Sequence, residues 1–152
     1  MIQQGIDSGP AAARPGSLGN LIFTSGSTGR PKAATRSHEE LYAFLWLYAK
    51  GLTPDEPVHL AYQPFVHLNE QLGTMVAYLQ GACVAFSSAS TAYDDAKEVN
   101  PTSVVGVPRF YEPLLWALDQ GETTLDDLRG SFGRRVHSVS VGSAPVPHRL
   151  FE

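Results

Sequence analysis

The sequence predicts an α/β protein whose mostly parallel sheet is covered by helices on both faces. Apolar, strand-like runs alternate along the chain with segments of helical periodicity, an order typical of repeated strand-helix-strand units. The strand-like runs are continuously apolar rather than alternating, as expected for strands buried on both sides. With 152 residues, 43% of them hydrophobic and 17% charged, the chain has the composition of a folded globular domain.

Five apolar runs are predicted to form strands. In chain order they are NLIFTS (20–25), VHLAYQPF (58–65), CVAFSS (83–88), TSVVGVP (102–108) and VHSVSVGSAPV (136–146). Glycine or proline lies at or near the ends of these runs, which favours turns there. The third run contains Cys83, the single cysteine of the chain, and we expect a buried, inert thiol.

The intervening segments are predicted to be helices. Ser37 and Glu40 form a capping-box pattern at the start of the first helix, over 37–51. Its apolar stripe comprises Leu41, Phe44, Leu45 and Tyr48. The second helix, over 69–82, has a stripe of Leu72, Met75, Val76 and Leu79.

Three more helical segments follow, over 92–99, 109–121 and, more weakly, 124–135. Pro113 is expected near the first turn of the helix over 109–121, where proline is tolerated. Trp46, Trp116 and Phe110 lie on or beside helical stripes and are expected to pack in the core.

Composition also sets the domain organisation and the cellular setting. Residues 1–16 are rich in glycine, proline and alanine and are predicted to be a flexible lead-in, with the domain over 17–152. The sequence PHRLFE (147–152) starts a helix that it does not finish, so we expect part of a larger domain. A net charge of −4 argues against a nucleic-acid partner. We find no secretory signal and no membrane span in the sequence, and expect a cytoplasmic protein.

The stretch TSGSTGRPK, from Thr24 to Lys32, has the composition of an anion-binding loop. Gly26 and Gly29 can adopt positive φ angles, so backbone N–H groups can surround an anion. Ser25, Ser27 and Thr28 add hydroxyl donors, and Lys32 adds a mobile positive charge. These residues predict a cradle for a di- or triphosphate, although the spacing is neither that of a P-loop nor that of a dinucleotide-binding loop. The alternative is a polar surface hairpin.

The segment LIFTSGSTGRPKAA (21–34) resembles the phosphate-binding signature of the adenylate-forming superfamily, which includes acyl-CoA synthetases and carboxylic acid reductases. The family has a glycine after the lysine where this chain has Ala33, so the turn after Lys32 is expected to be altered. Three later segments are similar to the long-chain acyl-CoA synthetase branch or the wider family. They are YQPFVHLNEQLGTMVAYLQGACVAF (62–86), NPTSVVGVPRFYEPLL (100–115) and SVSVGSAPV (138–146).

The resemblance implies a fold, a reaction and a set of site residues. The fold would be part of the large N-terminal domain of an adenylate-forming enzyme. The reaction would use ATP and Mg²⁺ to activate a carboxylic acid, with CoA as second substrate and a long-chain fatty acid as the expected acid. The phosphates would bind Thr24, Ser25, Gly26, Ser27, Thr28 and Gly29, with Lys32 either steadying them or remaining a solvated lysine.

By the same resemblance, His67 would lie beside the acyl carboxylate as the catalytic residue; the alternative is a strand-end histidine that bonds a backbone carbonyl. Glu70 would reach the phosphates or complement the helix dipole. Arg109 would face the acyl tunnel or form a structural salt bridge. The adenine would contact Gly142, Ser143, Ala144 and Pro145, whose alternative is a plain turn.

The rest of the family's machinery, including its magnesium-binding glutamate and mobile C-terminal domain, is not found in this sequence. No residue of this chain is therefore assigned to metal binding, and we expect no ligase turnover from it alone. Two alternatives stay open: the adenylation part of a carboxylic acid reductase, and a non-catalytic nucleotide-binding fragment that needs a companion chain. Peripheral association with a membrane is compatible with either.

Overall fold

The computed structural model describes residues 13–24, 31–51, 55–146 and 148. In chain order the elements are β1 (Leu18–Thr24), β2 (Lys32–Ser37), α1 (His38–Ala49), β3 (Val58–Ala61), α2 (Leu68–Leu79), β4 (Cys83–Phe86), α3 (Ala92–Val99), β5 (Ser103–Gly106), α4 (Pro108–Asp119), α5 (Leu125–Gly130) and β6 (Ser138–Val141). The chain divides into two compact units, residues 1–47 and residues 48–152, which are described separately.

The first unit contains an antiparallel hairpin of β1 and β2. Its register pairs Thr24 with Lys32 and Phe23 with Ala33. The strand at 20–24 is confirmed, but β2 is absent from our sequence prediction because KAATRS is short and largely polar. The altered turn that we expected after Lys32 is wrong. Ala33 lies inside β2, and its φ is not positive. Alanine therefore meets no backbone penalty at this position.

The capping box at the start of α1 is confirmed. The Ser37 backbone N–H donates to Oε2 of Glu40 at 2.7 Å, and the Glu40 N–H donates to Ser37 Oγ at 3.2 Å. Leu41 is buried as predicted, whereas Tyr48, at the end of the predicted stripe, is 56% exposed. Trp46 is 52% exposed, so its expected place in the core is wrong.

The second unit is built on a four-stranded parallel sheet of order β4-β3-β5-β6. Successive residues of β3 face opposite sides, so His59 points toward α2 whereas Leu60 points toward α3 and α4. The predicted arrangement of a parallel sheet with helices on both faces is confirmed. The core on the Leu60 side comprises Leu60, Tyr62, Ala92, Ala96, Val104, Tyr111 and Phe132.

Helix α2 buries only part of the apolar stripe that its periodicity predicts: Leu72 is buried and Val76 is half-buried, but the other two members are exposed and two polar residues are buried. Met75 is 39% and Leu79 61% exposed, whereas Glu70 and Thr74 are both 2% exposed. The polar residues are buried because the Glu70 carboxylate bonds to groups on and beside β3. A specific buried hydrogen-bond network therefore outweighs the burial of the longer apolar side chains.

Three smaller expectations are also corrected. Cys83 lies at the start of β4, an outer strand of the sheet, and is exposed rather than buried. Trp116 is 56% exposed, although Phe110 does pack against the core as expected. Helix α4 starts at Pro108, so Pro113 lies beyond its first turn and offers no N–H to the carbonyl of Arg109.

Within the described residues, no helix has both the length and the hydropathy needed to cross a bilayer.

Candidate functional site

The sheet of the second unit reverses its winding direction between β3 and β5. The chain leaves β3 toward β4 on one side, then crosses over to β5 and continues to β6 on the other. In parallel α/β sheets, ligands bind outside the carboxyl ends of the strands at such a reversal. Here those ends are Ala61, Phe86, Gly106 and Val141, which we call the carboxyl edge. Three of the predicted site segments follow strands of this edge directly.

A buried polar network lies beneath the carboxyl edge on the α2 side. Oε1 of Glu70 is 3.4 Å from Nε2 of His59, and both residues are nearly inaccessible to solvent. Oε2 of Glu70 accepts a hydrogen bond from the backbone N–H of Gln63 at 2.8 Å. Thr74 Oγ1 completes the set of donors, 3.5 Å from Oε1. The carboxylate is thus held inside the protein at the start of α2, as the helix-start alternative describes, and the phosphate contact of Glu70 stays a prediction.

Three tyrosines and a phenylalanine pack on the opposite face, beside β5. Tyr62 and Tyr93 both stack on Phe110, with ring centroids 4.2 and 4.7 Å away. The Tyr111 hydroxyl donates to the carbonyl of Ser140 at 3.1 Å, whereas the Tyr62 hydroxyl is buried without a hydrogen-bond partner among the described residues. Burial raises the pKa of Tyr62 and of Tyr111 above the usual tyrosine range, and raises that of Tyr93 to about 12. All three side chains are therefore neutral at physiological pH.

His67 lies just beyond β3 and is the residue immediately before α2. Its backbone is extended, its N–H donates to the carbonyl of Pro64 at 2.9 Å, and its side chain is exposed. Within the described part of the chain, the imidazole makes no hydrogen bond to a backbone carbonyl, which was the structural alternative. An exposed imidazole after a strand of the carboxyl edge is accessible to a ligand.

Arg109 is the second residue of α4, directly after β5, and is exposed. The ion pairs found between described residues do not include it, so the expected structural salt bridge is not seen there. Its contact with an anion or an acyl group near the carboxyl edge stays a prediction.

The segment Gly142–Pro145 follows β6. The Gly142 N–H donates to the carbonyl of Gly106 at 3.0 Å, which extends the β5–β6 pairing by one bond. Ser143 has a φ of 64°, in the left-handed region that serine rarely adopts. The backbone therefore turns sharply at the carboxyl edge, with Ser143, Ala144 and Pro145 exposed. The exposed backbone of this turn offers a surface against which a flat ring can pack. The adenine contact stays a prediction.

The phosphate-loop prediction falls largely outside the described residues. Ser25, Gly26, Ser27, Thr28 and Gly29 belong to 25–30, which the structure does not describe. The flanking residues Thr24 and Lys32 are cross-strand partners at the end of the β1–β2 hairpin in the first unit. Lys32 is exposed. The binding of phosphate by this segment stays a prediction.

Sequence reasoning assigned no role to His59, Tyr62 or Gln63. His59 interrupts an apolar strand run, and Gln63 is a polar residue placed between a strand and Pro64. A polar residue inside a predicted buried strand implies a buried partner, and this signal points to His59 and its partner. The unpaired hydroxyl of Tyr62 has no such signal in the sequence.

A metal site was also sought among the described residues. Across ranges 13–24, 31–51 and 55–146 and at 148, no cluster of three or more His, Cys, Asp or Glu side chains could hold a metal ion.

The fold is that of an α/β protein whose parallel sheet reverses its winding direction between β3 and β5. A family model described as "AMP-binding enzyme" matches residues 3–152, so the chain belongs to the AMP-binding enzyme family. This confirms the resemblance stated from the sequence to the adenylate-forming enzymes.

Curated relatives include acyl-CoA ligases. A long-chain-fatty-acid–CoA ligase 6 of Rattus norvegicus is 35% identical over 145 residues, which cover 90% of this chain and 21% of the relative. A fatty acyl-CoA synthetase B of Dictyostelium discoideum is 31% identical over 103 residues, covering 66% of this chain and 15% of the relative. The chain thus spans about a fifth of the length of such relatives.

Solved structures support the fold. The adenylation domain of a carboxylate reductase from Mycobacterium chelonae superimposes with a TM-score of 0.69 at 30% identity, over 90% of this chain and 24% of that one. A malonyl-CoA ligase complex with methylmalonyl-CoA and AMP gives a TM-score of 0.70 at 23% identity, over 91% of this chain and 30% of that one. At that identity the second likeness concerns the fold alone.

Proposed function

We propose that this chain contributes the acid-activating core of a ligase that converts a long-chain fatty acid to an acyl-adenylate and then to an acyl-CoA thioester. ATP is the first co-substrate and CoA the second. The observation that supports this most directly is the 35% identity to a long-chain-fatty-acid–CoA ligase over 90% of the chain. The segment that carries His67 lies inside that similarity and at the carboxyl edge.

The residues of the second unit suggest how the first step is assisted. A fatty-acid carboxylate attacks the α-phosphorus of ATP, an acyl–phosphate bond forms, and pyrophosphate leaves. This step needs position and charge stabilisation more than covalent help. His67 would orient the attacking carboxylate, Arg109 would meet negative charge beside β5, and the backbone of Gly142–Pro145 would hold the adenine. The loop from Thr24 to Gly29, with Lys32, would hold the departing pyrophosphate.

Magnesium is the metal that such a reaction uses, and when bound it would neutralise phosphate charge. The described residues of this chain bring no group of three metal-ligating side chains together. We therefore assign the ion to the ATP phosphates and derive no step from it. The protein is proposed to act in the cytoplasm, with peripheral contact to membranes that supply its lipid substrate.

A binding experiment tests this function on the chain itself. Isothermal titration with a fatty-acyl sulfamoyl adenosine, a stable mimic of the acyl-adenylate, should give saturable binding. We expect His67→Ala to weaken it by about tenfold, equivalent to ~1.4 kcal/mol. The matched control is His137→Ala, because His137 is also exposed but precedes β6 at the opposite end of the sheet. Equal affinities for both variants, or no binding by the unmodified chain, would refute the proposal.

We also propose that this chain has no ligase turnover alone, because it spans about a fifth of the length of the ligases it resembles. Measuring ATP–pyrophosphate exchange with and without a fatty acid checks this. Exchange that depends on the fatty acid would overturn it. If the isolated chain shows no exchange, adding a companion chain that carries the remaining segments should restore turnover.

The second candidate is the adenylation part of a carboxylic acid reductase. The observation that favours it is the carboxylate reductase domain at 30% identity. Both candidates form an acyl-adenylate and differ in what consumes it, a CoA thiol or a reductase partner. The test adds the missing segments to the chain, supplies each acceptor in turn and identifies the product. A thioester indicates the CoA ligase, and an aldehyde indicates the reductase. Nucleotide binding with neither product would favour a non-catalytic fragment.

A further inference from the structure

Strands β3 and β5 are joined differently from their neighbours. The register gives four Cα pairs between β3 and β4, and four between β5 and β6. Between β3 and β5, which both lie wholly in the described part of the chain, it gives one, His59 with Ser103. The two central strands therefore separate beyond this pair, at the place where the sheet reverses.

Two side chains bridge the opposite ends of this weakly paired region. At the amino end, Thr102 Oγ1 accepts from the Val58 N–H at 2.9 Å and donates to the Val58 carbonyl at 3.0 Å. At the carboxyl end, Nε2 of Gln63 donates to the carbonyl of Val105 at 3.0 Å. At the amino end the Thr102 N–H also donates to the Val58 carbonyl at 2.9 Å, so the Thr102 side chain there reinforces a backbone bond. At the carboxyl edge the bridge between the two strands is made by the Gln63 side chain.

Gln63 is also held through its backbone. Its N–H donates to Oε2 of Glu70, which is 2% exposed and lies in the first turn of α2. This bond closes the segment 63–70 into a loop, and His67 lies within it. A second bond inside the loop joins the His67 N–H to the carbonyl of Pro64. Gln71 adds two bonds within the segment, from its N–H to the His67 carbonyl and from its side-chain amide to the Phe65 carbonyl. The Gln63 amide ties the start of the segment to β5, and the Glu70 carboxylate ties it to α2.

We propose that Gln63 and Glu70 are positioning residues that fix His67 at the carboxyl edge. Neither is proposed to contact the reacting atoms. A buried carboxylate accepting a backbone N–H holds its partner more firmly than a water-exposed bond, because solvent does not compete. The benefit to acid activation rests on the proposed function, but the ordering of His67 is a property of the fold and can be measured without any ligand.

The experiment compares isosteric variants of the labelled chain. Gln63→Met removes the amide donor, and Glu70→Met removes the acceptor, while Glu70→Gln keeps an oxygen that can still accept from the Gln63 N–H. Thr102→Val is the control, since it deletes a side-chain bridge between the same strands at the end far from His67 and leaves the backbone bond from Thr102 to Val58 in place. For each we would measure amide hydrogen exchange, ¹⁵N relaxation over residues 63–70 and the thermal midpoint.

In the unmodified chain and in Glu70→Gln we expect the amides of Gln63 and His67 to be protected from exchange. In Gln63→Met and Glu70→Met, protection at His67 should fall about tenfold, with order parameters dropping toward ~0.6. Thr102→Val should lower the thermal midpoint but leave the relaxation of 64–67 unchanged. Affinity for the acyl sulfamoyl adenosine should fall about tenfold in Gln63→Met and less than about twofold in Thr102→Val.

Unchanged exchange and relaxation at His67 in Gln63→Met would overturn the proposal, as would an equal effect of Thr102→Val. If Glu70→Met does not fold, Gln63→Met and Glu70→Gln still decide the result. If the unmodified chain binds no adenylate mimic, the proposed function fails, while the exchange and relaxation data still test the positioning role.

Discussion

The hydroxyl of Tyr62 lies directly against Gly106, the last residue of β5. A Cβ built on Gly106 would stand 2.7 Å from the Tyr62 hydroxyl oxygen and 2.7 Å from the Tyr111 ring. The absence of a side chain at Gly106 therefore allows both tyrosines to pack over the end of the strand. Only one of the two hydroxyls, that of Tyr111, has a hydrogen-bond acceptor among the described residues.

This difference predicts opposite effects for the same substitution. Tyr62→Phe should leave the free energy of unfolding unchanged or raise it by up to about 1 kcal/mol, because it removes a buried unpaired hydroxyl. Tyr111→Phe should lower it by about 1 kcal/mol, because the bond to the Ser140 carbonyl is lost. Urea denaturation of both variants checks this. A loss of stability in Tyr62→Phe would indicate a hydroxyl partner outside the described residues.

Two paired glycines at the carboxyl edge should respond differently to alanine. Gly106→Ala should cost about 1–3 kcal/mol, because its Cβ would overlap the Tyr111 ring and the Tyr62 hydroxyl. Gly142→Ala should cost less than about 1 kcal/mol, since its Cβ would meet no described atom within 4 Å. Thermal denaturation measures both. Equal losses would contradict the packing described for Gly106.

The left-handed backbone of Ser143 predicts a graded series at the turn after β6. Ser143→Gly should retain stability or gain up to about 1 kcal/mol, because glycine adopts this φ without a steric penalty. Ser143→Val should lose about 1–2 kcal/mol, since a β-branched residue is disfavoured there. Chemical denaturation gives the order of the three proteins. Equal stability of the glycine and valine variants would mean that the turn has another conformation in solution.

The N-terminal cap of α5 predicts a pH-dependent contribution to stability. The Thr124 hydroxyl and its backbone N–H both donate to Asp127, and these bonds lower the pKa of the Asp127 carboxyl below its usual value of 3.8. Because the folded pKa is the lower one, this contribution is fully present above pH ~4 and is lost as the pH falls through the folded pKa. Carbon-detected NMR titration should show the pKa of Asp127 rising toward its usual value in Thr124→Ala. A pKa of Asp127 that is the same in Thr124→Ala as in the unmodified chain would contradict this contribution.

The sequence by itself determined the features that depend on neighbouring residues. The strand-helix order from α1 onward, the capping box of Ser37 and Glu40, and the family signature are all local patterns, because they need only contacts within a few residues. The helix over 92–99 has the predicted bounds for the same reason. The family, and with it the candidate site segments, followed from these patterns.

The tertiary structure decided which faces are buried and which groups meet. Periodicity selected Leu72, Met75, Val76 and Leu79 as the inner face of α2, and Leu72 is indeed buried. Met75 and Leu79 are exposed, whereas Glu70 and Thr74 are buried, because the Glu70 carboxylate bonds to Gln63 and approaches His59. Such choices depend on hydrogen bonds between different elements, here between α2 and the chain in and just after β3, and hydrophobic periodicity within one helix carries no information about them. The bridge from Gln63, just after β3, to Val105 in β5 is another example, because it forms only when β3 and β5 lie side by side.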